Sequence, residues 1–183
     1  MAKHALLVMD VQRIIVDRYP DPSYLPRLRT AIDAARAGGI PVLYVVVGFR
    51  PGYPEISARN KMFGRLAQSP NLAGGDDLTG IHPDIAPEPG DIVVTKRRVS
   101  AFAGSDLDLV LRAGEIDHLV LTGIAASGVV LSTVRQASDL DFALTILSDG
   151  CLDADPEVHR VLTEKVFPHQ ADVTTVAEWA AAL

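Results

Sequence analysis

Two charged residues come directly after short apolar runs, where a proton-transferring pair would need to be. Asp10 follows the run at 5–9, and Lys96 follows the run at 92–95. A carboxylate beside a buried strand is costly unless a cation pairs with it, and Lys96 could be that cation. Burial and pairing together would shift both pKa values towards a range useful for moving protons. In the structural alternative, Asp10 forms a local cap or salt bridge, and Lys96 extends to water.

A third feature is the stretch 119–133, where an apolar run breaks into small residues before an amphipathic helix pattern. Small residues let the backbone approach a second backbone or a ligand closely. The new helix would begin with free N–H groups and the positive end of its dipole, which suit an anion or a developing oxyanion. In the structural alternative, this is an ordinary strand-to-helix turn and Ser127 only caps the helix.

Apolar runs alternate with helical patterns along the whole chain. Strands are predicted at 5–9, 40–47, 92–95, 118–121, 142–147 and 172–176, and helices at 25–37, 58–67, 106–113, about 130–139, 156–166 and 177–183. This alternation predicts an α/β fold with a parallel sheet and right-handed crossovers. The connection at 48–91 is rich in Pro and Gly, and connections this long are usually functional or form oligomer contacts.

The composition and net charge of the chain indicate which class of protein it belongs to. With 183 residues, 48% of them apolar, the chain is expected to form one domain over 1–183 with an aliphatic core. The net charge of −6 comes without a basic stripe, so no nucleic-acid partner is expected. The single cysteine fits a reducing compartment. The first apolar run is too short for a signal peptide and no run is long enough to span a membrane, so we predict a cytoplasmic protein without a membrane partner.

The carboxyl ends of parallel strands form one edge of a sheet, where sites of such folds lie. The first strand brings Asp10 and Gln12 to this edge, the third brings Lys96, and the fifth brings Asp149 and Cys151. The turn after the fourth strand completes the set.

Three motifs in this order resemble those of the isochorismatase-like hydrolase superfamily, which includes isochorismatases, nicotinamidases and N-carbamoylsarcosine amidases. They are Met-Asp-x-Gln around Asp10, Lys96 followed by Ala-Phe ending at Phe102, and Thr-Gly-Ile-Ala before a helix. The resemblance covers nearly the whole chain. It implies a three-layer α/β/α sandwich around a six-stranded, mostly parallel Rossmann-like sheet, a small-molecule substrate, and a homodimer or higher homo-oligomer.

The sequence departs from this family at the expected nucleophile. Cysteine hydrolases of the family carry a Cys six residues after the motif glycine, which would be Gly123 here, and that position is Val129. The resemblance therefore carries over Asp10 as acid/base and Lys96 as its partner, but no thiol. Valine has no lone pair, so an acyl-enzyme cannot form there.

Three replacements for the thiol stay open. Cys151 lies at the correct edge of the sheet, Ser127 lies two residues before the expected position, and Asp10 could act through a bound water. Isochorismatases cleave a vinyl ether by protonation and addition of water, which a carboxylic acid can support without a thiol. The competing reading is a catalytically inactive family member that serves as a binding protein or oligomeric scaffold.

The resemblance and the fold also predict the walls of a pocket and the backbone of its turn. The predicted substrate-binding residues are Gln12, Phe49, Phe102, Ile124, Ala125, Ser127 and Gly128, with Arg50, Tyr53 and Phe63 helping to close the pocket. A cis peptide bond is predicted between Ile124 and Ala125. The Asp-x-His pair that binds metal in some nicotinamidases is replaced by Gly-Phe-Arg-Pro at 48–51, and the histidines share no ligand spacing. No phosphate loop or dinucleotide motif is present, so neither a metal nor a cofactor is expected.

Overall fold

A computed structural model describes residues 3–66 and 80–183 of the chain. Its sheet has six strands, β1 (His4–Met9), β2 (Val42–Val47), β3 (Ile92–Lys96), β4 (His118–Ile124), β5 (Ala143–Leu152) and β6 (Asp172–Thr174). Their order is β3-β2-β1-β4-β5-β6, and all five neighbouring pairs are parallel. The prediction of a six-stranded Rossmann-like sheet is therefore confirmed.

Helices cover both faces of this sheet. They are α1 (Arg13–Val16), α2 (Tyr24–Ala37), α3 (Lys61–Leu66), α4 (Leu107–Ala113), α5 (Leu131–Asp139), α6 (Pro156–Val161) and α7 (Val176–Ala181). Shorter 3₁₀ turns lie at Pro83–Ile85 and Phe167–His169, and wider π-helical turns lie at Ala126–Val130 and Leu162–Val166. The last residue of the helix predicted at 58–67 lies outside the described residues. None of the helices in 3–66 and 80–183 has the length and hydrophobicity that a transmembrane segment requires.

The core forms on both sides of β1 because successive strand residues point to opposite faces. Leu6 belongs to a buried cluster with Leu28 of α2, and Leu7 belongs to another with Leu111 of α4 and Val134 of α5. A strand buried on both faces needs a continuous apolar sequence, and that is the signal from which β1 was predicted. The three-layer sandwich expected from the family resemblance is thus present.

Strand β5 is longer than the sequence indicates. The sequence predicts a strand that ends at residue 147, before Ser-Asp-Gly, but β5 continues to Leu152. The pairing with β4 shifts register between Leu121 and Gly123 and then resumes, with Gly123 opposite Cys151. The irregular pairing accommodates the extra residues of β5. The turn-forming sequence therefore lies inside the strand and not at its end.

Gly123 lets the carboxyl ends of β1 and β4 lie against each other. Its φ of +148° is one that L side chains rarely adopt, and a Cβ added there would lie 2.4 Å from the carbonyl oxygen of Met9. Met9 is the register partner of Gly123 and precedes Asp10. A larger residue at 123 would therefore push apart the two strands that carry the predicted site.

We predict that Gly123→Ala lowers the free energy of unfolding by about 3 kcal/mol or more, because the clash is with backbone that cannot rotate away. Urea denaturation followed by circular dichroism measures the change. Gly38→Ala is the matched control, since Gly38 has a φ of −81° and an added Cβ meets only ordinary contacts at 3.4 Å or longer. Equal losses in the two variants would contradict this account of Gly123.

Candidate active site

The predicted site residues meet at the point where the chain changes direction across the sheet. From β1 the chain builds β2 and β3 on one side, and then crosses to β4 on the other side. Beyond the carboxyl ends of these strands lies a cavity of about 810 Å³. It is lined by Asp10, Gln12, Ile14, Ile15, Arg18, Tyr19, Val46, Val47, Gly48, Phe49, Arg50, Pro51, Gly52, Tyr53, Met62, Phe63, Thr95, Lys96, Val99, Ile124, Ala125, Gly128 and Val129.

Asp10 and Lys96 form a buried ion pair in this cavity, as predicted. The Nζ atom of Lys96 lies 3.0 Å from Oδ2 of Asp10, and the two residues are 2% and 7% exposed, respectively. Lys96 also donates a hydrogen bond of 2.9 Å to the carbonyl oxygen of Arg98. The second carboxylate oxygen of Asp10, Oδ1, is buried and has no hydrogen-bond partner among the described residues. One oxygen of the carboxylate is thus held by a cation, and the other is not engaged.

Burial dominates the electrostatics of Asp10. Loss of solvent raises the pKa of Asp10 to about 6, although the charge of Lys96 and its hydrogen bond act in the opposite direction. A carboxyl group with a pKa in this range can both give and take a proton near neutral pH. Asp10 also has a positive φ of 57°, so its backbone leaves the β conformation at the point where β1 ends.

Gln12 joins the ends of two strands. Its side-chain nitrogen donates to the carbonyl oxygen of Val47 at 3.1 Å, and its side-chain oxygen accepts from the N–H of Val47 at 2.9 Å. Gln12 therefore takes the place of a neighbouring strand for the last residue of β2, while also lining the cavity. Its predicted contact with substrate stays a prediction.

The turn after β4 forms one wall of the cavity. The Ile124–Ala125 peptide bond is cis, as predicted. Ile124, Ala125, Gly128 and Val129 all line the cavity. Gly128 has a non-helical conformation within this turn, with φ of −100° and ψ of −105°.

Ser127 does not lie where the sequence suggested. It is exposed and absent from the cavity lining, and no side-chain hydrogen bond caps the helical turn that begins at 126. Instead the N–H of Ser127 donates to the carboxylate of Asp153 at 2.7 Å. Burial alone would raise the pKa of Asp153, but hydrogen bonds from Ser127 and nearby backbone outweigh it and lower the pKa. The irregular turn faces Ser127 to the outside, so the capping role of its side chain is wrong, and its predicted contact with substrate stays a prediction.

The position expected to hold a thiol is an apolar part of the cavity wall. Val129 is 2% exposed and contributes only methyl groups. Cys151 lies in the core and not in the cavity lining, with its Sγ 3.9 Å from the carbonyl oxygen of Leu121. Burial raises the pKa of the Cys151 thiol to about 12, despite a backbone hydrogen bond from Gly123 that lowers it. A thiol with this pKa is protonated at neutral pH and is a poor nucleophile.

Aromatic residues of the long connection close the cavity, but Phe102 is not among them. Phe49 contacts Tyr53 and Phe63 edge-on, with ring centroids 6.2 and 5.5 Å apart, respectively, and all three line the cavity. Phe102 belongs to the core cluster, with its ring 5.9 Å from that of Phe142. The prediction of Phe102 as a pocket residue is wrong because its segment turns towards the helical layer.

Three of the histidines make local structural contacts. His118 stacks on His4 with ring centroids 4.3 Å apart and shares a hydrogen bond with Thr145 at 2.8 Å, at the amino-terminal edge of the sheet. His159 lies within 3.0 Å of the carbonyl oxygen of Ser148. In the part of the chain that the structure describes, no three His, Cys, Asp or Glu side chains are placed to hold a metal ion.

Comparison with known proteins identifies the family. Residues 4–178 match the isochorismatase domain. The chain belongs to the isochorismatase family. It is 34% identical over 176 residues to ureidoacrylate amidohydrolase RutB of Stutzerimonas stutzeri. This alignment covers 84% of this chain and 71% of the relative. The names of such relatives mark the chain as a hydrolase of this family.

Solved structures agree with this assignment. An isochorismatase family protein from Burkholderia thailandensis superimposes with a TM-score of 0.86 at 29% identity, covering 99% of this chain and 95% of that one. The N-carbamoylsarcosine amidase of Thermoplasma acidophilum gives a TM-score of 0.76 at 30% identity, covering 95% and 96%. The sheet and both helical layers of this isochorismatase-family protein are therefore shared with solved relatives.

A polar network that sequence reasoning missed joins the start of the long connection, around Glu55, to the turn after the buried Lys96. Glu55 accepts from Arg50 at 2.5 Å and lies 3.5 Å from Nε of Arg97. Arg98 donates from its guanidinium to the carbonyl oxygen of Glu55 at 2.7 Å, and its own carbonyl accepts from Lys96. No spacing in the sequence indicates these contacts, because they join segments about 40 residues apart.

The buried carboxyl group makes stability depend on pH. The folded pKa of Asp10, about 6, lies above its ordinary value of 3.8, so the folded state binds this proton more tightly. Its contribution to stability is present below about pH 4 and is lost as the pH rises through about 6. Asp10→Asn lacks this term, so its free energy of unfolding relative to wild type should rise by about 2 kcal/mol between pH 4 and pH 7.

Urea unfolding of both proteins across this pH range measures the difference. Asp17→Asn is the control, because Asp17 is exposed and its loss changes the net charge by the same amount. A difference between Asp10→Asn and wild type that stays constant with pH would contradict a raised pKa at Asp10.

Proposed function

We propose that this isochorismatase-family hydrolase cleaves a small metabolite through water, with Asp10 as acid/base and Lys96 as its electrostatic partner. The observation that carries the proposal is the Asp10 carboxylate itself, since Lys96 holds one oxygen at 3.0 Å and the other oxygen has no partner among the described residues. Asp10 lines the same cavity as Val129, whose side chain cannot attack a substrate. Water is then the nucleophile that remains.

The raised pKa supports both halves of such a reaction. With a pKa of about 6, roughly a tenth of the Asp10 side chains would be protonated at neutral pH. For a vinyl ether, Asp10 would donate its proton to the vinyl carbon, and water would add to the resulting cation. The carboxylate would then take a proton from that water as the adduct collapses to a ketone and an alcohol. The positive charge of Lys96 would stabilise the carboxylate in the intermediate stage.

The other two nucleophiles left open by the sequence have less support. The Cys151 thiol is in the core with a pKa near 12, and Ser127 is exposed outside the cavity. Either residue would need the β4 turn to rearrange before it could reach a substrate beside Asp10. The water route needs no such movement.

A second candidate function is a binding protein or oligomeric scaffold without catalysis. The observation that favours it is Val129, which makes the expected nucleophile position apolar. The retained pair of Asp10 and Lys96 favours catalysis, because a buried ion pair is a poor device for stability. Homo-oligomerisation and a cytoplasmic location stay predictions under both functions.

We predict that Asp10→Asn lowers turnover by about 10²- to 10⁴-fold, because an amide cannot exchange the required proton. Isochorismate, ureidoacrylate and N-carbamoylsarcosine are the first substrates to screen, since the names of the family and its relatives include them. If Asp10 acts as an acid, the rate with wild type should fall as the pH rises above about 6. Lack of turnover with every member of a wider panel of vinyl ethers and amides would favour the scaffold.

Cys151→Ser is the matched control for this prediction. Turnover should stay within about threefold of wild type, because Cys151 has no chemical step. Intact-mass spectrometry during turnover distinguishes the mechanisms further. A substrate-derived adduct on Cys151 or Ser127 would overturn the water mechanism and make that residue the nucleophile.

Restoring a thiol at 129 should create reactivity that the wild type lacks. In a Cys151→Ser background, Val129→Cys would place the only cysteine of the chain in the wall of the cavity that Lys96 also lines. We predict that iodoacetamide labels this variant much faster than wild type, whose one thiol is buried at Cys151, and that weak amidase activity towards ureidoacrylate or N-carbamoylsarcosine appears. Equal labelling of the two proteins would contradict the position of Val129 in an accessible cavity.

A further inference from the structure

The cavity contains one cation that no described residue neutralises. Among the cations of the lining, Lys96 pairs with Asp10 and Arg50 pairs with Glu55. Arg18 follows α1 at the mouth, is exposed, and has no side-chain hydrogen bond or ion pair with any residue in 3–66 or 80–183. Its guanidinium is therefore available to a ligand that enters the cavity.

No acidic group of the cavity wall balances this charge. Asp10 is the one carboxylate among the described lining residues, and Lys96 already compensates it. Asp153 acts electrostatically on Tyr19, the neighbour of Arg18, but Asp153 does not line the cavity and its carboxylate accepts a hydrogen bond from the N–H of Ser127. The described lining thus has an excess of positive charge in a chain whose net charge is −6, which indicates a local function for the guanidinium.

The apolar residues of the cavity lining favour a ligand whose main part is apolar and unsaturated. Phe49 contacts both Tyr53 and Phe63 edge-on, and these three residues line the cavity as the Phe49 cluster, while Val129 adds an aliphatic surface to the same lining. Aromatic side chains bind planar π systems through stacked or edge-on contacts. A planar guanidinium offers paired N–H donors that match the two oxygens of a carboxylate.

We propose that the cavity selects a small unsaturated or aromatic monocarboxylate, with the carboxylate on Arg18 and the apolar body against the Phe49 cluster. A monoanion matches one free cation, whereas a phosphate dianion would keep one charge uncompensated. The proposal rests on the proposed function in taking this cavity as the substrate site, and it adds the class of substrate and the residue that selects it.

Matched pairs of probes without a hydrolysable vinyl ether test this selection, namely benzoate with benzyl alcohol and cinnamate with cinnamyl alcohol. Binding is measured by isothermal titration calorimetry and by chemical-shift changes of the intact protein. We expect the wild type to bind each carboxylate more tightly than its neutral counterpart. Arg18→Gln should weaken carboxylate binding by about tenfold or more and leave binding of the alcohols unchanged. Arg13→Gln is the control, because it removes the same charge from α1 at an exposed residue outside the lining.

Three results would overturn the proposal. They are equal affinity of wild type for the charged and neutral probes, equal effects of Arg18→Gln and Arg13→Gln, and no binding of any carboxylate at millimolar concentration. Because these probes undergo no reaction, the outcome is independent of catalysis by Asp10. A hydrolysis screen that fails while Arg18 still selects carboxylates would reject only the proposed reaction, and turnover of a neutral substrate unaffected by Arg18→Gln would reject only the selection.

Discussion

The buried ion pair of Asp10 and Lys96 is the constraint on which the rest of the site depends. Removing two charges from water carries a large desolvation penalty, and their attraction offsets it only when the geometry is fixed closely. Asp10 follows β1 and Lys96 is the last residue of β3, and these two strands are separated in the sheet by β2. Their separation of 3.0 Å therefore requires these three strands to stay in register. On the other side of β1, Gly123 lets the backbone of β4 approach Met9, the residue before Asp10.

Most of the fold could be predicted because buried parallel strands have a simple signature. Each of the first four strands is a continuous apolar run, and its end is marked by a charge or by small residues, so Asp10 and Lys96 could be assigned to one edge of the sheet. The end of a strand could not be predicted where turn-forming residues lie inside the strand. At 148–150 the pairing with β4 absorbs Ser-Asp-Gly as an irregularity, and only the neighbouring strand determines that outcome.

Side-chain direction set the limit for predicting the site. Ser127 and Phe102 lie within motifs that also hold true cavity residues, yet one faces outside and the other faces the core. The periodicity of a helix or strand indicates which face a side chain occupies only where the backbone is regular. The backbone at Gly128 is irregular. The contacts of Glu55 could not be predicted from the sequence for a different reason. They depend on how a long connection folds back onto the turn after Lys96.

The same desolvation that makes the ion pair unfavourable for stability gives it chemical value. If Asp10 were exposed, its pKa would be close to 3.8 and the acid form would be scarce at neutral pH. If Lys96 were absent, burial would act without opposition and the carboxylate form would be the scarce one. The observed arrangement lies between these limits, with a pKa of about 6. With valine at 129, no thiol in the cavity requires activation, and a carboxyl group with a pKa in this range is suited to the proton transfer that we propose for it.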